Sequence, residues 1–194
     1  MRALTMPLPV PTTAREPRHV RSIVAQAFER SDGLWDIEAR LTDTKPHAIE
    51  LGSGPRAAGE PVHDLWLRVT VNTSFTIVDA QAASDATPYP GYCGDYGDAY
   101  KQLVGLNLLQ GFRQSVRERL AGTAACTHLT ELAAMLPTAT IQAFAGAVLP
   151  TRDGQHDRDD QPPFQLDRCH ALRRDGAAVA RYYPRWNIKP AEQG

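Results

Sequence analysis

Two stretches of strict alternation do most to limit what this chain can become. Trp35, Ile37, Ala39 and Leu41 alternate with Asp36, Glu38 and Arg40. Further on, Leu65, Leu67, Val69 and Val71 alternate with Trp66, Arg68 and Thr70. A period of two sends alternate side chains to opposite faces, so each stretch reads as a strand buried on one face only. Ser31-Asp32-Gly33 sits between two β-like runs that extend from His19 to Leu41 and is a hairpin turn signal. In the first run Ile23 and Ala25 share one face, and Val24 and Phe28 the other. Asn72-Thr73-Ser74 turns the second alternating strand into a partner that contains Phe75, Ile77 and Asp79. No parallel crossover pattern is present, so the sheet is expected to be mainly antiparallel.

Helical spacing takes over downstream. From the N-cap candidate Asp98, the residues Tyr100, Leu103, Val104, Leu108, Phe112, Val116 and Leu120 recur every three or four positions, which predicts one long amphipathic helix ending at Gly122. A second helix is expected from Cys126 or Thr127 through Leu129, Leu132 and Leu136 to Pro137, with a third stretch at 139–148 after a kink. Residues 166–173 and 177–183 flank Arg174-Asp175-Gly176 and read as another hairpin. The expected fold class is α+β: a mainly antiparallel sheet of about six strands packed on two or three helices. The organisation reads as an extended N-terminal segment 1–17, an α+β domain 18–150, a polar linker 151–164, a C-terminal hairpin 165–186 joining the same domain, and a tail 187–194.

Charge and composition narrow the classes of function. With 21 basic and 22 acidic residues the chain has no basic footprint for nucleic acid. No apolar run approaches the roughly 18 residues of a membrane span, and the N-terminus does not read as a signal peptide. Cys93, Cys126 and Cys169 are an odd, scattered set that makes a poor disulfide framework and suits a reducing cytoplasm. The identity of any protein or small-molecule partner stays open.

Several segments resemble a known family. His19-Val20-Arg21, the run from Asp32 to Glu38, Cys126-Thr127-His128-Leu129, the run from Leu166 to Leu172, and Tyr183-Pro184-Arg185-Trp186 are similar to the bacterial domain-of-unknown-function 2889 family. The resemblance covers roughly 7–186 and implies no activity, because none has been assigned to the family. The order of elements is also similar to iron–sulfur cluster scaffold proteins: a hairpin, a loop cysteine, a long helix, then a cysteine opening another helix. The chain departs from that pattern at Asn72-Thr73-Ser74, where the scaffolds carry a further cysteine. It departs again at Ala125, where they carry a histidine.

The candidate chemistry lies in the cysteines and their neighbouring histidines. Thiolate and imidazole are the donors that zinc and related metals prefer, so Cys93, Cys126, His128, Cys169 and His170 form a candidate set for zinc or an iron–sulfur cluster. The spacing is dispersed, with no paired CxxC, and free cysteines are often ordinary core residues. Cys126 supports an alternative. A thiol at a helix N-terminus feels the positive end of the helix dipole, and with His128 or His170 as base it becomes a candidate nucleophile, with Asp36 or Asp167 as candidates to orient the base. The third reading is a non-catalytic structural or interaction domain with buried cysteines.

Other polar residues have a plainer reading. His19, Arg21, Asp36, Glu38, His63, Asp64 and Arg68 fall on strands or at their ends, and Asp36, Glu38 and Arg68 read as the solvated side of a half-buried sheet. Trp35 belongs with the apolar set, whereas Trp66 belongs with the polar one and could line a pocket. Tyr89, Tyr92 and Tyr96 surround Cys93 and would either shield a site or anchor the loop. Gly91, Gly94 and Gly97 lack the Lys-Ser or Lys-Thr pair of a phosphate loop.

Overall fold

The structure is a computed structural model that describes residues 8–94, 97–152 and 161–188. Tyr96 and most of the expected linker and tail lie outside the described residues. Six strands form: β1 (Val20–Glu29), β2 (Trp35–Thr44), β3 (Ile49–Leu51), β4 (Gly54–Arg56), β5 (Pro61–Val71) and β6 (Ile77–Ala86). They make two sheets, not one. Four strands run antiparallel in the order β1-β2-β5-β6, and β3-β4 is a separate two-stranded ribbon. The two strands of the ribbon flank Gly52-Ser53.

The alternation dictates the burial. In β2 every second residue from Trp35 to Asp43 is buried, and Trp35, Ile37, Ala39 and Leu41 stand opposite Val71, Val69, Leu67 and Leu65 of β5. The β1–β2 hairpin turns at Gly33, whose φ of 81° favours a residue without a Cβ. The β5–β6 turn is held by Asn72, whose Oδ1 accepts the backbone N–H groups of Ser74 and Thr76. That turn forces Phe75 to φ 64°, a conformation costly for a large side chain. Burial of its ring, 4.8 Å from that of Phe144, offsets the cost.

Helices cover one face. They are α1 (Phe112–Leu120), α2 (Thr127–Phe144) and α3 (Ala177–Tyr182). The single long helix expected from Asp98 is broken. Gly97–Leu103 forms a 3-10 turn, and left-handed Gly105 and Gly111 redirect the chain before α1 begins. Here the Ile77 N–H donates to the Leu106 carbonyl and the Gly105 N–H to the Ile77 carbonyl, which ties this segment to β6. The apolar stripe nonetheless reaches the core: all its members are buried except Val104. This segment therefore also differs from the long helix of the iron–sulfur scaffold pattern.

α2 runs straight through Pro137 instead of stopping there. Leu129, Leu132, Ala133, Leu136 and Phe144 are all fully buried, so continuing the helix secures apolar burial on both sides of the proline. The C-terminal segment contains no strand among the described residues. Leu166 to Tyr183 forms a 3-10 turn at His170–Leu172 and then α3, not a hairpin. Alanine-rich Ala177 to Tyr182 favours helix, and with only Val179 buried it has no alternating face to offer a sheet.

Phe144 lies at the centre of this packing, its ring 5.2 Å from Trp35 and 4.8 Å from Phe75. Phe144→Ala is expected to cost about 3–5 kcal/mol, the range for emptying a buried aromatic site. Urea unfolding followed by circular dichroism measures it.

Candidate metal centre

The site forms where the apolar ladder runs out. The inward parity of β2 continues past Leu41 to Asp43, and that of β5 starts at His63 before Leu65. Arg21 of β1, Asp43 and His63 are consecutive partners across three strands, so a polar row ends the apolar face. The β2–β5 register shifts between Asp43 and Thr44, the kind of irregularity that re-aims side chains at the end of a ladder. α2 closes the row from above. Cys126 is its N-cap, His128 lies in its first turn, and Glu131 follows three positions on. The Tyr100 hydroxyl donates to the Cys126 carbonyl at 2.8 Å and fixes where the helix begins.

Asp43 is only 4% exposed, and a carboxylate so buried must be paired. It accepts four hydrogen bonds: from Arg21 Nε and Nη2 at 2.8 Å each, from His19 Nε2 at 2.8 Å, and from His63 Nδ1 at 3.0 Å. Arg21 also donates to Glu131 Oε2 at 2.6 Å, linking β1 and β2 to α2. His128 Nε2 lies 4.0 Å from Asp43 Oδ2, and the rings of His63 and His128 are 4.0 Å apart at their centroids. Asp43, His63 and His128 each present a ligand atom within 4.8 Å of the others, the only such group of three or more among the described residues.

The electrostatics favour an ionised Asp43 beside neutral imidazole. Burial works to raise the Asp43 carboxyl, but the hydrogen bonds from Arg21 and His19 outweigh it and bring it down from 3.8 to about 2. Burial lowers His63 below its ordinary 6.5, and the neighbouring His128 lowers it further. The Arg21 guanidinium is raised, chiefly by its bond to Asp43.

The structure distributes the cysteine and histidine candidates differently from a single cluster. Of Cys93, Cys126, His128, Cys169 and His170, only His128 belongs to the converging group. Cys126 Sγ stands 3.9 Å from His128 Nδ1, on the side of the ring away from Asp43. Cys126 and Cys93 are half-buried and both line an open cavity of about 780 Å³ with Tyr92, Asp98 and Thr127. Cys169 and His170 are exposed in the C-terminal segment. Asp36 is held on the opposite sheet face by the Thr70 hydroxyl at 2.7 Å, and Asp167 accepts from the Arg174 backbone. Neither is the carboxylate beside His128; that is Asp43.

The other sheet face is a ladder of paired charges. Arg40 and Asp64 meet at 2.6 Å, as do Arg68 and Glu38. The Arg40 guanidinium lies 4.6 Å over the Trp66 ring, whose Nε1 donates to Asp85.

Sequence reasoning passes over Asp43 and treats His19, Arg21 and His63 as ordinary strand residues. The signal was parity: Asp43 lies two residues past Leu41 and His63 two before Leu65, so each polar side chain enters an apolar register. Glu131 has no comparable signal.

A family model described as "Protein of unknown function (DUF2889)" matches residues 19–142. The chain belongs to this family. The match is shorter than the resemblance predicts. It includes every residue of the Asp43 network and stops before Cys169 and His170. No curated protein and no solved structure matches this DUF2889 chain. Among its described residues, no helix is long and apolar enough to cross a membrane.

Because the folded carboxyl of Asp43 is depressed, its contribution to stability is present above the unfolded value near 3.8 and is lost as pH falls through about 2. The contribution is on the order of 2 kcal/mol. Urea unfolding between pH 5 and pH 2 is expected to show this loss, with a shallower slope in Asp43→Asn. Equal slopes would mean that Asp43 is not held as described.

Proposed function

We propose that this chain binds a single first-row transition metal ion, such as zinc or iron(II), through Asp43, His63 and His128. The observation that carries the reading is convergence: a buried carboxylate and two histidines from β2, β5 and α2 meet at one point. Two imidazoles and one carboxylate are a donor set suited to such ions. Tetrahedral bonds of 2.0–2.1 Å separate donor atoms by roughly 3.3 Å. His63 Nδ1 and His128 Nε2 stand 3.0 and 4.0 Å from Asp43 Oδ2, so small side-chain movements suffice. The two carboxylates of Asp43 and Glu131 outnumber the one guanidinium, Arg21, that joins them, which favours a cation. Arg21, bonded to both oxygens, and His19, bonded to Oδ1, would hold Asp43 in place, as partners of ligating carboxylates do. An iron–sulfur cluster needs several thiolates together, and the donors here are nitrogen and oxygen.

Calorimetric titration of chelator-treated protein with zinc is expected to give one site per chain. His63→Gln or His128→Gln should weaken it by about 100-fold or more, since even outer partners of a metal ligand are worth 10–100-fold. The Cys93→Ser, Cys126→Ser, Cys169→Ser triple variant should retain it. Retention in the histidine variants with loss in the triple variant would move the site to the cysteines.

A second reading has its own observation. Cys126, His128 and Asp43 stand in the order thiol, imidazole, carboxylate, with gaps of 3.9 and 4.0 Å, and the sulfur lines a cavity. That order is the one used to activate a cysteine nucleophile. The plainer alternative is packing, because Cys126 also contacts the hydrophobic core. Iodoacetamide labelling followed by peptide mass spectrometry separates the two. A nucleophilic Cys126 is labelled ahead of the more exposed Cys169, and a packing cysteine is labelled after it.

A further inference from the structure

The four-stranded sheet has two edges, and they are built differently. β6 meets β5 with two register irregularities, between Asp64 and Leu65 and between Thr70 and Val71, and it carries Asp79 and Asp85. Irregularities and charges of this kind keep an edge from pairing with another chain. β1 has no comparable protection. Its register with β2 is unbroken from Val20 to Glu29, and it contains no proline, glycine or lysine. One of its two charged residues, Arg21, is turned inward onto Asp43. Among the described residues, no backbone hydrogen bond other than those to β2 reaches it. All ten of its residues are exposed.

The apolar residues on this edge are arranged symmetrically. Val20, Val24 and Phe28 share the face away from the helices and are 50, 53 and 45% exposed. Val24 lies midway between the other two. We propose that β1 pairs antiparallel with β1 of a second copy of this chain, about a two-fold axis through Val24. Val20 then stands opposite the partner's Phe28, Phe28 opposite the partner's Val20, and the two Val24 side chains meet on the axis. On the helix side Ile23 faces the partner's Ala25, and His19 faces the partner's Glu29, a carboxylate opposite an imidazole. An axis through Ala25 instead would set Val24 against Gln26, Phe28 against Ser22 and Val20 against Arg30, leaving the three apolar side chains of that face without an apolar partner across the strands. An isologous pairing of this kind closes on itself and gives a dimer, not a filament. It joins the two sheets into one and removes both unprotected edges. The pairing does not rest on the metal reading.

Sedimentation equilibrium of the full chain tests it. The expected result is a dimer at tens of micromolar. Val24→Lys places two like charges directly opposite on the axis and should raise the dissociation constant at least about tenfold. Val78→Lys, also at an exposed valine but on β6, should leave it unchanged. Circular dichroism establishes that each variant is folded. Val24→Cys gives a second reading independent of the lysine variant. On oxidation it should form a disulfide-linked dimer beyond the wild-type background. Ala25→Cys should not, because its diagonal separation of about 7–8 Å from the partner's residue 25 is too long to bridge. A wild-type monomer at the highest soluble concentration overturns the proposal. So does a dimer dissociated by Val78→Lys and not by Val24→Lys, or cross-linking through residue 25 in place of residue 24.

Discussion

A carboxylate buried at the end of an apolar ladder has to be paired, and the pairing of Asp43 organises much of this molecule. Its partners come from the two strands that flank β2: Arg21 and His19 at the start of β1, and His63 on β5. Arg21 then reaches Glu131 on α2, so one guanidinium joins two strands to the helix that covers them. Charge-assisted, two-pronged contacts of this kind are directional in a way that apolar burial is not. Burial of the α2 leucines holds the helix against the sheet, and the Arg21 bridge adds a directional contact at the end that carries Cys126 and His128.

The same pairing meets the hydrogen-bonding demand of the buried Asp43 carboxylate within the chain. With four donors on Asp43, its oxygens are satisfied by protein alone. This differs from small zinc domains, in which the ion supplies the folding energy. A metal at Asp43, His63 and His128 would instead be an addition to a core already closed by Tyr100, Phe144 and the leucines of α2. His128 is the residue on which the two chemical readings compete. Its Nε2 points to Asp43 and its Nδ1 to Cys126. A metal held at Nε2 leaves Nδ1 protonated, and a protonated Nδ1 can donate to the sulfur but cannot take its proton. The metal centre and a nucleophilic thiol therefore cannot both use His128 at the same moment.

Much of the fold was legible because period-two burial is a strong signal. Trp35 to Leu41 and Leu65 to Val71 gave both central strands, and Gly33 and Asn72 marked the hairpins that connect them to their neighbours. The remainder depended on tertiary context. The apolar stripe from Tyr100 to Leu120 identified the correct buried residues, but periodicity alone did not show that Gly105 and Gly111 would break the helix to let Leu106 bond to Ile77. Burial of Phe144 carried α2 through a proline that local rules treat as a stop. At the site, the cysteines drew attention because cysteine is rare and chemically distinctive. Asp43, an ordinary aspartate by composition, was informative only through its position in the alternation.

β1 connects the edge of the sheet to the site. A strand in which all ten residues are exposed is poorly secured by burial, yet it supplies Arg21 and follows directly on His19. Its inner edge is held by the β2 ladder and by Asp43, while the backbone groups of its outer edge have no partner among the described residues. A strand placed this way couples the stability of the edge to the geometry of the site. Fraying from Val20 inward would release three of the four hydrogen bonds to Asp43, those from His19 and Arg21, before it disturbed any leucine of the core. Whatever secures the outer edge of β1 therefore also secures the carboxylate on which the candidate metal centre is built.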